Sequence, residues 1–151
     1  MATVLESIEI EAPRDRIAAF FVPQRMVYWY GAEMNADFEV LDARPEFREG
    51  QKVRISGQAG LREVAMTVVV TRFEQGHTLE WQFRDQFGVR GLQRWDLMEL
   101  ADGTMRVSML DDYRFPGGRF GEFWDRHITR RAISSRNRRW LAALKKYAER
   151  E

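Results

Sequence analysis

Between residues 36 and 115 apolar and polar side chains alternate with period two in six successive segments, 36–44, 51–57, 62–73, 78–86, 90–100 and 104–115. Period two places residues i and i+2 on one face of a strand, so each segment reads as half buried. Turn chemistry separates them: Pro45 with Glu49-Gly50, Gln58-Ala59-Gly60, Glu74-Gln75-Gly76, Phe87-Gly88 and Asp102-Gly103. Asp-Gly between alternating segments is the clearest hairpin signal of the set. Connections this short join antiparallel neighbours. Such a sheet has one face that needs cover. The one stretch long enough to supply it is a helix of about 30 residues after Pro116-Gly117-Gly118, with Phe123, Ile133, Asn137, Trp140, Leu141 and Leu144 on one side.

The N-terminal segment adds a seventh strand. Val4, Glu6, Ile8 and Ile10 share one parity, and Glu9 and Glu11 take the other. The strand runs into a helix at Ala12-Pro13, where proline suits a first helical position and Asp15 complements the positive end of the helix. Ile17, Phe20 and Phe21 supply its apolar stripe. Pro23 ends it, and a second short helix is expected over 24–30, stopping at Gly31. The expected fold is therefore α+β: a curved seven-stranded antiparallel sheet around a long C-terminal helix, with two short helices after strand 1. At 151 residues the chain reads as one domain, 1–151, large enough to bury a core without staples.

Composition narrows the chemistry. The chain has no cysteine, which removes disulfides, thiolate metal sites and a cysteine nucleophile. Its two histidines, His77 and His127, are too few for a histidine-rich metal cluster. No P-loop and no Gly-x-Ser-x-Gly elbow occur, and Gly88-Val89-Arg90-Gly91 lacks the spacing of a dinucleotide loop. No metal or cofactor is implied. A net charge of +1 gives no sign of a nucleic-acid partner. No apolar run approaches the ~20 residues of a transmembrane helix, and the acidic N-terminus is not a secretory signal, so a cytoplasmic protein is expected. The excess is in five Trp, ten Phe and seven Met, residues that fill a core or line an adaptable pocket.

The ordered set of motifs resembles the START-like (SRPBCC) helix-grip superfamily, in particular its polyketide cyclase/dehydrase and lipid-transport branch. The resemblance covers the whole chain. It rests on Ile8-Glu9-Ile10-Glu11-Ala12-Pro13, the aromatic knot Tyr28-Trp29-Tyr30, and Glu49-Gly50-Gln51-Lys52-Val53. It rests also on Gly103-Thr104-Met105-Arg106-Val107 and the ending Trp140…Leu144-Lys145. What it implies is a sheet gripping the last helix with an apolar cavity between them. The family includes cyclases, lipid and quinone carriers, hormone receptors and co-chaperone-like proteins, so fold alone leaves function open. The absence of cysteine does not support its iron–sulfur oxygenase branch.

Strand parity then assigns the lining. The inward rows read Leu79, Trp81, Phe83 and Asp85; Gln93, Trp95 and Leu97; Met105, Val107, Met109, Asp111 and Tyr113; and Val64, Met66, Val68 and Val70. The expected cavity residues are Trp81, Phe83, Gln93, Trp95, Leu97, Val107, Met109, Met66 and Val68, with Phe123 and Trp29. Asp85, Gln93, Asp111 and Tyr113 are polar among apolar neighbours, and a buried carboxylate requires a partner. Arg126 and Arg130 of the last helix are the expected partners, with His127 at the edge of that face. Asp111, Asp85, Arg130, His127 and Tyr113 are accordingly the acid–base candidates.

Residues 118–151 carry ten Lys/Arg against four Asp/Glu, a local charge of +6. Three readings compete. The leading one is a protein that binds a hydrophobic or aromatic small molecule, lipid, quinone or polyketide-like, because apolar lining is the strongest part of the signal. The second is a polyketide cyclase/dehydratase-like enzyme using the acid–base candidates. The third is a co-chaperone-like interaction protein using the basic helix, which leaves peripheral membrane contact open. The protein is expected as a monomer or homodimer.

Overall fold

A computed structural model of the protein describes residues 2–32, 37–42, 44–59, 61–116 and 129–150. The elements run β1 (Ala2–Ile10), α1 (Arg14–Ala18), α2 (Pro23–Met26), β2 (Asp37–Val40), β3 (Lys52–Ala59), β4 (Arg62–Glu74), β5 (Thr78–Asp85), β6 (Arg90–Glu99), β7 (Met105–Arg114) and α3 (Arg130–Arg150). The seven strands form one sheet in the order β1-β7-β6-β5-β4-β3-β2, antiparallel at every pairing. Each strand from β2 onward pairs with the next in the chain, as short connections dictate. β1 closes against the last strand, with Ala2 opposite Tyr113 and Ile10 opposite Met105.

The expected rows are buried in the middle of the sheet and only half buried at Val64, Met66, Phe83 and Asp85. Every odd residue of β7 from Met105 to Tyr113 is buried, as are Leu79, Trp81, Gln93, Trp95 and Leu97. In β4 a register shift between Val70 and Arg72 inserts Thr71, so Phe73 rather than Arg72 continues the row of Val68 and Val70 opposite Leu79. A bulge of this kind flips the face of every later residue in the strand. At the Asp102-Gly103 hairpin, Leu100 N–H donates to Thr104 O at 2.8 Å and Gly103 takes φ 86°, a conformation that favours glycine.

Three boundaries differ from expectation. β2 covers four residues rather than 36–44, because after Leu41 N–H reaches Lys52 O at 3.3 Å the chain turns away toward Pro45, which has no N–H to pair. α2 ends at Met26; Tyr28 and Trp29 donate to carbonyls only three residues back, tightening 27–31 into turns that close at Gly31, φ 73°. Pro13 is the residue that caps α1, in extended conformation, rather than its first helical residue. The helix expected after Pro116 is described from Arg130; Phe123, Arg126 and His127 lie outside the described residues.

α3 crosses the inner face of the sheet beside β1, with Asn137, Trp140, Leu141, Leu144 and Ala148 buried beneath it. Its outer cations are partly tied to the sheet edge: Arg138 pairs with Glu6 at 3.4 Å, and Lys145 donates to Glu9 O at 2.8 Å. Ser134 also donates to the Glu6 carboxylate. Glu6 therefore shares the inward parity of Val4 and Ile8 without cost, since the helix supplies its partners.

Candidate functional site

Two apolar clusters occupy the inner face. The larger gathers Trp29, Trp81, Trp95, Val107, Met109, Trp140 and Leu144. The smaller is Val4 and Tyr113, with Val89, Phe115 and Ile133 packed on it half buried, and Phe83 touches both. Asp111 lies on β7 between Met109 of one cluster and Tyr113 of the other. A polar layer thus runs through the core at that level.

Gln93 organises the layer. Its Oε1 accepts from Tyr30 Oη at 2.9 Å and from Trp81 Nε1 at 2.8 Å. Gln93 sits directly opposite Asp111 across β6 and β7 and also hydrogen-bonds the Asp111 carboxylate. Asn137 Nδ2 donates to Asp111 Oδ2 at 2.6 Å, and an Arg136 guanidinium nitrogen approaches the same oxygen at 3.3 Å. Arg136 also donates to Asn137 Oδ1 from two nitrogens, at 3.2 and 3.1 Å. The chain of contacts Tyr30, Gln93, Asp111, Asn137, Arg136 links the turns after α2 to β6, β7 and α3.

The electrostatics follow from burial. Asp111 is 2% exposed, and desolvation pushes its carboxyl above the ordinary carboxylate range, opposed by the Arg136 charge and by hydrogen bonds from Asn137, Gln93 and Arg136. Burial likewise pushes the Tyr30 phenol well above its usual value, with Arg136 opposing and Asp111 reinforcing the shift. The side chain of Arg136 keeps 34% exposure, and its guanidinium stacks 4.3 Å above the Trp140 ring, which in turn lies 4.5 Å from Tyr30. Arg136 is thus the layer's link to solvent, held flat by a cation–π contact. A carboxyl whose pKa is raised keeps its proton to higher pH than an exposed one, and an arginine beside it can hold an anionic or carbonyl oxygen.

The aromatic lining is packed. Trp81 and Trp95 meet edge to face at 4.9 Å, and Tyr30, Trp29, Phe21 and Phe47 complete the cluster around them. Trp29 donates Nε1 to Phe20 O at 2.9 Å, so the knot anchors the two short helices to the core. Trp95 Nε1 is buried with no hydrogen-bond partner among the described residues. Leu97, Val107, Met109 and Val68 are buried, whereas Met66 and Phe83 remain half buried.

The acid–base candidates separate. Asp111 and Tyr113 stand at the polar layer and the smaller cluster. Asp85 belongs to the β5–β6 turn, where its Oδ1 accepts from the N–H groups of Phe87 and Val89, both at 2.9 Å. Arg130 is exposed at the start of α3. Among the described residues the cation that meets the Asp111 carboxylate from α3 is Arg136, which the sequence reading does not name as a partner; Arg126, one of the two expected partners, lies outside the described residues. Arg136 neighbours Asn137 on the inward stripe, and its long side chain curls back under the helix. The one available signal was an arginine flanking a polar residue in an otherwise apolar stripe. Gln93's second partner, Tyr30, had no signal, because a turn brings it there. Among the described residues no group of three or more His, Asp or Glu converges to hold a metal, and no helix is long and apolar enough to cross a membrane.

No protein-family model matches the chain, and no curated protein sequence matches it significantly. Solved structures do match. DynU16, a protein of the dynemicin biosynthetic locus, superposes with TM-score 0.70 at 16% identity over 97% of this chain and 47% of its own, so the chain spans about half of DynU16. Protein CV1439 from Chromobacterium violaceum gives TM-score 0.73 at 17% identity over 99% of both chains. A protein from Rhizobium leguminosarum gives 0.75 at 17% identity over 99% of this chain and 95% of its own. These similarities establish a shared fold.

Proposed function

We infer that the protein binds a hydrophobic or aromatic small molecule with a polar end, between the sheet and α3 on the Tyr113 side of the polar layer. Arg136 and Asp111 hold the polar end; Phe83, Ile133, Tyr113 and Phe115 contact the apolar body. The observation that carries this reading is the boundary itself. A carboxylate, an amide and a guanidinium meet where the large aromatic cluster gives way to a small one, in which only Val4 and Tyr113 are buried and the surrounding Phe83, Val89, Phe115 and Ile133 stay half buried. Apolar walls with few convergent polar groups are the usual composition of a small-molecule site. The START-like resemblance and the fold shared with a protein of a biosynthetic locus point the same way.

A second reading, a cyclase/dehydratase-like enzyme, is favoured by one observation, the raised carboxyl of Asp111 beside Arg136. In it Asp111 delivers a proton to a substrate oxygen that Arg136 orients.

The test is mass spectrometry of small molecules extracted from the purified protein, followed by titration with the neutral apolar dye Nile red. A defined apolar compound, displaced by the dye at one site, with at least tenfold weaker retention in Arg136→Ala, is the expected result. Protein that carries nothing and takes up no dye sinks the reading.

A further inference from the structure

The outer face of the sheet carries a row of arginines with an unusual placement. Arg84 on β5 pairs in register with Arg90 on β6, and Arg90 pairs with Arg114 on β7. Strands lie about 4.8 Å apart, so three guanidinium-bearing residues fall within roughly 10 Å along one line. Like charges directly opposite each other on adjacent strands repel.

The other described arginines on the strands of this face are paired. Arg94 pairs with Asp96 at 2.9 Å and with Glu80 at 3.6 Å; Arg106 meets Glu9 at 3.2 Å and Arg54 meets Glu39 at 3.9 Å. None of Arg84, Arg90 and Arg114 has an ion pair or a side-chain hydrogen bond among the described residues. All three line a groove of about 830 Å³ whose floor continues over Leu92, Val69 and Thr67. They also line an adjoining hollow of about 220 Å³ beside Gly88 and Pro116. Asp112 is the acidic residue lining the larger groove, one carboxylate against three guanidiniums, so the groove keeps an excess of positive charge.

We propose that this groove, on the opposite side of the sheet from the α3 site, binds the diphosphate group of a soluble small molecule whose organic part lies along Leu92 and Val69. Arginine forks match phosphate oxygens in pairs. Three forks in a row accommodate two linked phosphates, and the bound anion removes the repulsion that the row carries when empty. The proposal does not depend on the function inferred for the α3 face.

The probe is inorganic pyrophosphate, titrated by calorimetry and thermal shift at low ionic strength, where such contacts are least screened. The wild-type protein should show saturable binding and a rise in Tm. Arg84→Gln/Arg90→Gln/Arg114→Gln should bind at least tenfold more weakly, yet melt no lower than wild type without ligand, because the repulsion is gone. Arg90→Lys, which keeps the charge and loses the fork, should weaken binding several-fold should the triple variant fail to fold. Arg106→Gln, on the same face but already paired, should bind as wild type does. No saturable binding, or equal affinity in the triple variant and Arg90→Lys, overturns the proposal. Recruitment to phosphatidylglycerol vesicles that pyrophosphate does not compete away also overturns it, assigning the row to a membrane surface.

Discussion

Asn137 on α3 donates to the carboxylate of Asp111 on β7 over 2.6 Å, in the middle of a core that is otherwise apolar at both ends. That bond fixes the last helix against the sheet at one height, because sliding the helix by a turn would leave a buried carboxylate without its partner. Such a loss costs more than the bond itself contributes, since the unpaired group keeps its full desolvation penalty.

Asp111 sets a pH dependence. Its folded pKa lies above its ordinary value of 3.8 with burial the leading cause, and among the described residues the charged or titratable groups facing it are Arg136 and Tyr30. Between 3.8 and the raised value the folded state binds more protons than the unfolded chain, so this group's contribution to stability is greatest at low pH and is lost as pH rises through the folded pKa. Asp111→Asn lacks that titration. Urea unfolding at pH 7 and pH 4.5 should show wild type gaining on the variant at the lower pH; a difference that does not change with pH removes Asp111 as the source.

Arg136→Ala should destabilise the protein by roughly 2 kcal/mol, below the usual penalty for a fully buried pair because Arg136 stays partly in water. It removes both the Asp111 contact and the stacking on Trp140. Arg136→Lys should recover part of the ion pairing but not the planar stack. Equilibrium unfolding of the three proteins checks the order wild type, Lys, Ala; a silent Ala variant contradicts it.

Gln93 carries more than either of its donors. Tyr30→Phe removes one donor and leaves Gln93 bonded to Trp81, for about 1 kcal/mol. Gln93→Leu strands the Tyr30 hydroxyl, the Trp81 N–H and one side of Asp111 together, and should cost about 3 kcal/mol. Denaturant midpoints should rank the two accordingly, and equal effects would mean that the hydrogen bonds at Gln93 are not the cause.

Gly91→Ala tests close backbone approach. A Cβ at Gly91 would lie 2.0 Å from Asp112 O and 2.7 Å from Tyr113 Cα, so β6 and β7 would have to separate beside the polar layer. A loss of about 2–3 kcal/mol is expected, with hydrogen exchange accelerated first at the amides of 90–93. Unchanged stability would mean that the strands part without cost.

Much of the fold was legible because alternation, turn residues and a single long helix leave few ways to cover one sheet face. The inward rows of β5, β6 and β7 follow from parity alone, and Asp111 and Gln93 stood out within them as polar residues in apolar rows. Arg136 and Tyr30 did not. One reaches the layer by curling back from a position beside the inward stripe, the other through a turn whose geometry depends on i→i−3 bonds. Thr71 shows the same limit on a smaller scale, since a bulge is one extra residue that no period reveals.

Sequence by itself determined which residues are apolar, how they alternate and where the chain must turn, and these local properties sufficed for the antiparallel sheet with its covering helix. Tertiary structure alone decided which cation faces Asp111 and that Arg84, Arg90 and Arg114 stand side by side. Both depend on register between segments distant in the chain, and register is set by the summed fit of whole faces rather than by any local pattern.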